Sequence, residues 1–168
     1  MAAAPPLLCL CDPGALGRAE ALLAARRRLV AAAPADGFDL LGHGAHAAAA
    51  LRLALERPDA VRGLVLLGPT AIARDGAPGA GMDAALFERL GALAAPSLAL
   101  FGTRDPVAPP EAARHYRARM PGCNLMFVYD AGAAMGDERP VAVASLVLDF
   151  LDRHDLFLVR RESDIIFP

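Results

Sequence analysis

The chain has 168 residues, of which 55% are hydrophobic, and a formal net charge of −2. This length fits one domain with a substantial core, and the small net charge gives no indication of a nucleic acid or an anionic membrane as a partner. No apolar run approaches the roughly 18 residues of a membrane-spanning helix, so we expect no transmembrane segment. The apolar residues should instead fill a core, an interface or both.

Six short apolar runs, each bounded by turn residues, are typical of β-strands. They are residues 7–11, 29–33, 38–41, 61–67, 97–101 and 124–129. Apolar residues at helical spacing predict five helices between and after the strands. These are residues 16–28, 45–56, 82–93, 110–120 and 139–154. The alternation predicts one α/β domain over residues 1–155, a three-layer α/β/α sandwich around a mostly parallel sheet of about six strands.

The three cysteines show no metal-ligand spacing, and we interpret Cys9, Cys11 and Cys123 as reduced thiols in a core. The apolar N-terminal sequence MAAAPPLLCLC has no basic region before it and leads into a turn, so we expect a first strand and not a signal peptide. Reduced thiols and the lack of a signal favour a cytoplasmic protein. Nothing in the sequence indicates a cofactor or a metal.

Three segments carry a family resemblance. The first is LLGHGAHAAAALRLALERPDAVRGLVLLGP, which starts at Leu40 and has the layout of strand, sharp turn, helix and strand. The second is PSLALFGTRDPVAPPEAARHYRARMPG, from Pro96, and the third is NLMFVYDAGAAMGDERPVAVASLVLDFL, from Asn124. With these matches in the correct order, the stretch from Leu7 to Leu151 resembles α/β-hydrolases of the small esterase and C–C hydrolase type.

The resemblance implies a degenerate catalytic triad. In the family the sharp turn carries G-x-S-x-G with a nucleophilic Ser, but the matching position here is Gly44. The acid position is retained as Asp105, whereas the position of the catalytic His is Ala133. Cys11 and Asp12 stand where the family has its oxyanion segment, and a carboxylate there would repel a developing oxyanion. Since the reaction needs both nucleophile and base, the resemblance implies a hydrolase scaffold without hydrolase chemistry.

Two positions of the turn, Gly44 and His46, depart from the family motif in ways that bear on its backbone. The nucleophile position has a positive φ there, which costs about 1–3 kcal/mol for a residue with a side chain and which Gly44 adopts without that cost. The last Gly of the motif allows the helix to approach the strand, and His46 replaces it. We therefore expect either that this turn opens or that the His46 ring points aside.

A shortened scaffold is a further implication of the resemblance. The usual N-terminal antiparallel strands have no counterpart, and the lid domain that usually follows the strand ending at Leu67 is reduced to residues 70–81 and one helix. Each deletion should uncover apolar surface, which in soluble proteins usually marks an interaction site. We therefore expect a pseudoenzyme that acts as an accessory or structural subunit of a homo-oligomeric or hetero-oligomeric complex.

Two other functions stay open. One is a serine-independent esterase or thioesterase in which Cys11 or Asp105 acts with His43. The other is a small-ligand-binding protein that uses the old substrate pocket, which we expect at Cys11, Asp12, His43 and His46. Structural roles compete with each of these: a core thiol for Cys11, packing for the two histidines, and for Asp105 a turn that precedes a proline.

The C-terminal tail, residues 156–168, lies outside the predicted domain. Its large apolar residues predict a partner-binding clasp that adds a strand to a partner or fills a groove in it. These residues are Phe157, Val159, Ile165, Ile166 and Phe167. A tail folded back on its own domain is the other interpretation.

Overall fold

The computed structural model describes residues 4–154, and these form a three-layer α/β/α sandwich. Its six strands form one sheet in the order β2-β1-β3-β4-β5-β6, and every pair of neighbours is parallel. The strands are β1 (Leu7–Leu10), β2 (Leu29–Val30), β3 (Phe38–His43), β4 (Val61–Leu67), β5 (Ser97–Gly102) and β6 (Cys123–Val128). The predicted parallel α/β architecture is therefore confirmed.

Six α-helices cover the two faces of the sheet. They are α1 (Ala19–Ala24), α2 (Ala47–Glu56), α3 (Ala84–Arg89), α4 (Ala113–Arg119), α5 (Met135–Glu138) and α6 (Pro140–Arg153). Residues of α2, α3 and α4 bury one apolar cluster against the sheet, and residues of α1, α5 and α6 bury a second on the opposite face. The buried strands are apolar on both sides for this reason, as in parallel sheets generally.

Small residues bring α2 close to β3 and so fix the turn between them. A Cβ built on Gly42 would lie 2.7 Å from the Cβ of Ala50 and 3.2 Å from the Cα of Ala47. Any larger residue at Gly42 would push the helix away from the sheet. The run of alanines that begins α2 therefore sets the position of the residues between strand and helix, which are those of the family's nucleophile motif.

Several elements differ from the predicted ones. The first helix is shorter than residues 16–28 because backbone hydrogen bonds from Ala15 to Asp12 and from Gly17 to Gly14 turn the chain before Ala19. Strand β2 has two residues, not five. The helix expected over residues 82–93 becomes α3 and a 3-10 turn, with the Asp83 carboxylate accepting from the Leu86 N–H at 2.8 Å as an N-cap. Helix α5 was not expected.

The segment between β4 and β5 has no inserted domain, as expected. A loop with one antiparallel bridge, between Ile72 and Pro78, leads to α3. No helix among residues 4–154 is long and apolar enough to cross a membrane. The tail residues Phe157, Val159, Ile165, Ile166 and Phe167 lie outside the described residues, so the clasp stays a prediction.

Candidate functional site

The turn after β3 places Gly44 at an unoccupied position above the sheet. Gly44 begins a 3-10 turn over Gly44–His46 with a φ of 55°, which confirms the positive φ predicted for it. A Cβ built there would meet no atom within 4 Å. The nucleophile position of the resembled family is therefore open space in this chain.

One cavity of about 490 Å³ joins the three positions of the degenerate triad. Gly44, Asp105 and Ala133 all line it, together with His43. The loop after β4 forms another part of the wall, with Thr70, Ile72, Ala73, Arg74, Gly79 and Ala80. The carboxyl ends of β3, β4 and β5 meet at this edge of the sheet, which is where ligands bind in open α/β sheets.

Asp105 has a structural role that explains its place. Its carboxylate Oδ1 accepts the backbone N–H groups of Val107 at 2.8 Å and Ala108 at 3.0 Å, and the residue is 3% exposed. These bonds close the turn predicted before Pro106. The other oxygen, Oδ2, lies 3.3 Å from a Cβ built on Gly68, another residue of the cavity wall. Oδ1 therefore accepts the two backbone hydrogen bonds of the turn, and Oδ2 lies at the cavity.

His43 presents a neutral imidazole to the cavity. Burial lowers the pKa of His43, and this outweighs a hydrogen bond to the Ala133 backbone and the charges of Asp12 and Asp105, which act in the opposite direction. A ring whose pKa is below its usual value of about 6.5 carries no proton charge near pH 7. His43 therefore lies close to the position of the missing catalytic His without occupying it.

His46 points away from the turn. Its Nε2 lies 3.0 Å from the Asp12 carboxylate, and both side chains are solvent-exposed. Of the two expected arrangements, the structure shows the ring pointing aside. The contact lies at the surface and involves Asp12, one of the two residues at the position of the family's oxyanion segment.

Cys11 lies outside the cavity of His43, contrary to the pocket expected from the sequence. Cys9, Cys11 and Asp12 line a second cavity of about 300 Å³ beside Leu29 and Val30 of β2. Burial raises the pKa of Cys11, with Glu20 and Asp12 adding to the effect, and burial raises that of Cys9 to about 12. Both thiols are therefore protonated at neutral pH, and the Cys11 thiol is not placed to act with His43 on one ligand.

Thr70 is a site residue that sequence reasoning missed. Its Oγ1 is buried and has no hydrogen-bond partner among the described residues, although it lines the cavity. Its position in the sequence could have identified it, because Thr70 follows Gly68 and Pro69 just after β4. Ligand sites of parallel sheets form at this carboxyl end of the strands. Within the described part of the chain, no group of three or more His, Cys, Asp or Glu side chains could hold a metal ion.

Of the comparisons with known proteins, the one with solved structures finds similar proteins. No protein-family model matches the sequence, and no curated protein matches it. Among solved structures, a serine hydrolase involved in carbazole degradation is similar, with a TM-score of 0.71 at 14% identity over 88% of this chain and 91% of that one. A pyrethroid hydrolase from Sphingobium faniae gives a TM-score of 0.65 at 18% identity over 87% and 96% of the two chains.

A thioesterase domain from the curacin biosynthetic pathway is also similar, with a TM-score of 0.67 at 14% identity over 86% of this chain and 90% of that domain. At such identities the likeness concerns the arrangement of the backbone and not the reaction. The chain has the α/β-hydrolase fold.

Proposed function

We propose that this chain is a non-catalytic protein of α/β-hydrolase fold that works as an accessory or structural subunit of a larger complex. The observation that carries the non-catalytic part of the proposal is the open space at Gly44, in a cavity that Ala133 and the retained Asp105 also line. Acyl transfer needs a nucleophile and a base that takes its proton. The cavity retains the acid Asp105, but it has no side chain at the nucleophile position Gly44 and no His at the base position Ala133.

The other nucleophilic groups do not replace the missing Ser. The Thr70 hydroxyl lines the cavity but has no partner within hydrogen-bond reach among the described residues, so no base activates it. The Cys11 thiol lies in a different cavity and its pKa is raised. Of the two pairs considered for a serine-independent esterase or thioesterase, Cys11 with His43 is therefore not supported. The other pair, Asp105 with His43, does line one cavity.

The second half of the proposal rests on the surface around β6. This strand is an edge of the sheet, and its residues Cys123–Val128 include no charge and no proline. Phe127 is 49% exposed and the adjoining Tyr129 is 82% exposed. Val141, at the start of α6, is 67% exposed. Natural proteins usually protect a sheet edge with charges or proline, so an uncharged edge with exposed aromatic residues supports a contact with another chain.

The test is purification from the native host under mild conditions, with the tagged wild-type protein and a Phe127→Lys/Tyr129→Lys variant. We expect the wild-type protein to elute as a complex with stoichiometric partner chains and the variant to elute alone. Leu22→Lys, which places a charge at an exposed apolar residue of α1, is the matched control and should retain the partner. A wild-type protein that is a lone monomer at high concentration would contradict the subunit role.

A further inference from the structure

The cavity at Gly44 contains the buried Asp105 carboxylate, and no salt bridge within residues 4–154 reaches it. The adjacent Arg104 and the cavity residue Arg74 each pair with another acid. Arg104 Nε lies 3.0 Å from the Asp130 carboxylate, and Arg74 at the cavity wall lies 3.6 Å from that of Glu111. The hydrogen bonds of Asp105 within residues 4–154 come from the backbone N–H groups of its own turn and use Oδ1. The other oxygen, Oδ2, accepts no hydrogen bond from the described residues and lies beside Gly68 at the cavity, where a donor group of a ligand can reach it.

The other polar groups of the cavity also favour a ligand that donates. His43 is neutral and its ring bonds the Ala133 backbone, which leaves the second ring nitrogen as an acceptor. The buried Thr70 Oγ1 has no partner in the described chain and can accept as well as donate. The larger apolar side chains of the wall are Ile72 and Val107, and its one cationic side chain, Arg74, is paired with Glu111.

Space for a ligand exists at the same place. A Cβ built on Gly44 would meet no atom within 4 Å, and the Ala133 side chain at the cavity wall is a single methyl group. A volume of about 490 Å³ is within the range of small-molecule sites. We propose that this cavity binds a small organic ammonium compound, whose N–H groups donate to Asp105 Oδ2 and whose apolar body lies against Ile72 and Val107. This inference goes beyond the subunit role and does not depend on it.

The charge of the carboxylate sets the selectivity. An ammonium group gains a charge-assisted hydrogen bond at Asp105, an uncharged alcohol gains a weaker one, and a carboxylic acid is repelled. Three compounds of similar size and shape separate these cases: 2-phenylethylamine, 2-phenylethanol and phenylacetate. Titration calorimetry at pH 7.5 with the full-length protein measures each dissociation constant directly.

We expect 2-phenylethylamine to bind in the millimolar range or tighter, about tenfold more tightly than 2-phenylethanol, with phenylacetate the weakest. Equal affinities for the amine and the alcohol would overturn the proposal, as would tighter binding of phenylacetate. A folded protein that shows no saturable binding of the amine would overturn it too.

Two pairs of variants locate the binding. Ala133→Trp fills the cavity from an exposed position and should abolish binding, whereas Ala134→Trp, at the next exposed residue, should leave it unchanged. Asp105→Asn keeps an oxygen that can accept the hydrogen bonds of the turn. It should raise the dissociation constant of 2-phenylethylamine about tenfold and change that of 2-phenylethanol by less than about twofold. Asp59→Asn, at an exposed position outside the cavity lining, is its control.

Equal effects of the two tryptophan variants would overturn the proposed location. An Asp105→Asn protein that folds by circular dichroism and binds the amine as the wild type does would overturn the role of the carboxylate. Should that variant not fold, the tryptophan pair and the ranking of the three compounds on the wild type decide the question.

Discussion

The hydroxyl of Tyr116 holds Ile72 in place. It accepts the Ile72 N–H at 2.9 Å and donates to the Pro69 carbonyl at 3.0 Å, although Tyr116 itself is completely buried in α4. One side chain thus joins α4 to two points of the loop that forms a wall of the cavity. Edge-to-face packing on Phe101 of β5, with ring centroids 5.5 Å apart, fixes the ring. The shape of the cavity therefore depends on a phenol on a neighbouring helix.

Tyr116→Phe should destabilise the protein by about 1–3 kcal/mol, because it leaves the Ile72 N–H and the Pro69 carbonyl buried without their partner. Urea unfolding followed by circular dichroism measures the change. Tyr129→Phe is the matched control, since Tyr129 is 82% exposed, and it should change stability by less than about 0.5 kcal/mol. Equal stabilities of the two variants would contradict the role given to the Tyr116 hydroxyl.

A buried ion pair at the opposite end of the sheet gives a second prediction. Arg27 donates from Nη1 to Asp39 at 2.8 Å and from Nη2 to Asp152 at 2.6 Å, and the Arg27 and Asp39 side chains are both buried. Arg27→Met should cost about 3–5 kcal/mol, because it leaves the buried Asp39 carboxylate with His154 Nε2, at 3.2 Å, as its remaining side-chain partner among the described residues. Arg104→Met breaks an exposed pair with Asp130 and should cost no more than about 1 kcal/mol. A small loss for Arg27→Met would mean that Asp39 finds other partners.

The cost of a side chain at the positive φ of Gly44 can be measured by comparing alanine substitutions at two glycines. A side chain would have free space at both Gly44 and Gly122, but only Gly44 has a positive φ. Gly44→Ala should destabilise by about 1–2 kcal/mol, whereas Gly122→Ala should be neutral or stabilise by up to about 1 kcal/mol. Thermal and urea unfolding of the two variants give the difference. If Gly44→Ala were as stable as Gly122→Ala, the turn would not have the conformation described.

The lowered pKa of His43 predicts a pH dependence of stability. Between its folded pKa and its unfolded value of about 6.5 the folded protein binds fewer protons than the unfolded chain, so stability falls as the pH falls through this window. One such group contributes up to about 1.4 kcal/mol per pH unit. His43→Gln should remove this contribution. We expect the difference in unfolding free energy between variant and wild type to change between pH 7.5 and 5.5, and a constant difference would contradict it.

Much of the fold follows from local sequence signals. The apolar runs and the turn residues after them predict the order of strands and helices, and the family resemblance implies the positive φ found at Gly44. Asp105 before Pro106 predicts the turn that its carboxylate closes. These features depend on residues close together in the chain, so a single sequence contains the information.

The contents of the cavity were harder to predict, because they depend on side-chain direction and on distant elements. Cys11 follows β1 and His43 ends the neighbouring β3, yet the two residues line different cavities. Thr70 is a cavity residue because Tyr116, 46 positions further on, holds its loop through bonds to Pro69 and Ile72. Helix α5 is a single turn, and its sequence MGDE carries no periodic pattern that would separate it from a loop.

The central claim is that the chain does not hydrolyse acyl compounds, and turnover of p-nitrophenyl acetate and of a thioester by the purified protein tests it most directly. We expect the wild type, Asp105→Asn and His43→Ala to release product at the same rate as an equal amount of the protein after heat denaturation. Turnover by the wild type that is absent from both variants would show a working Asp105–His43 site and contradict the account.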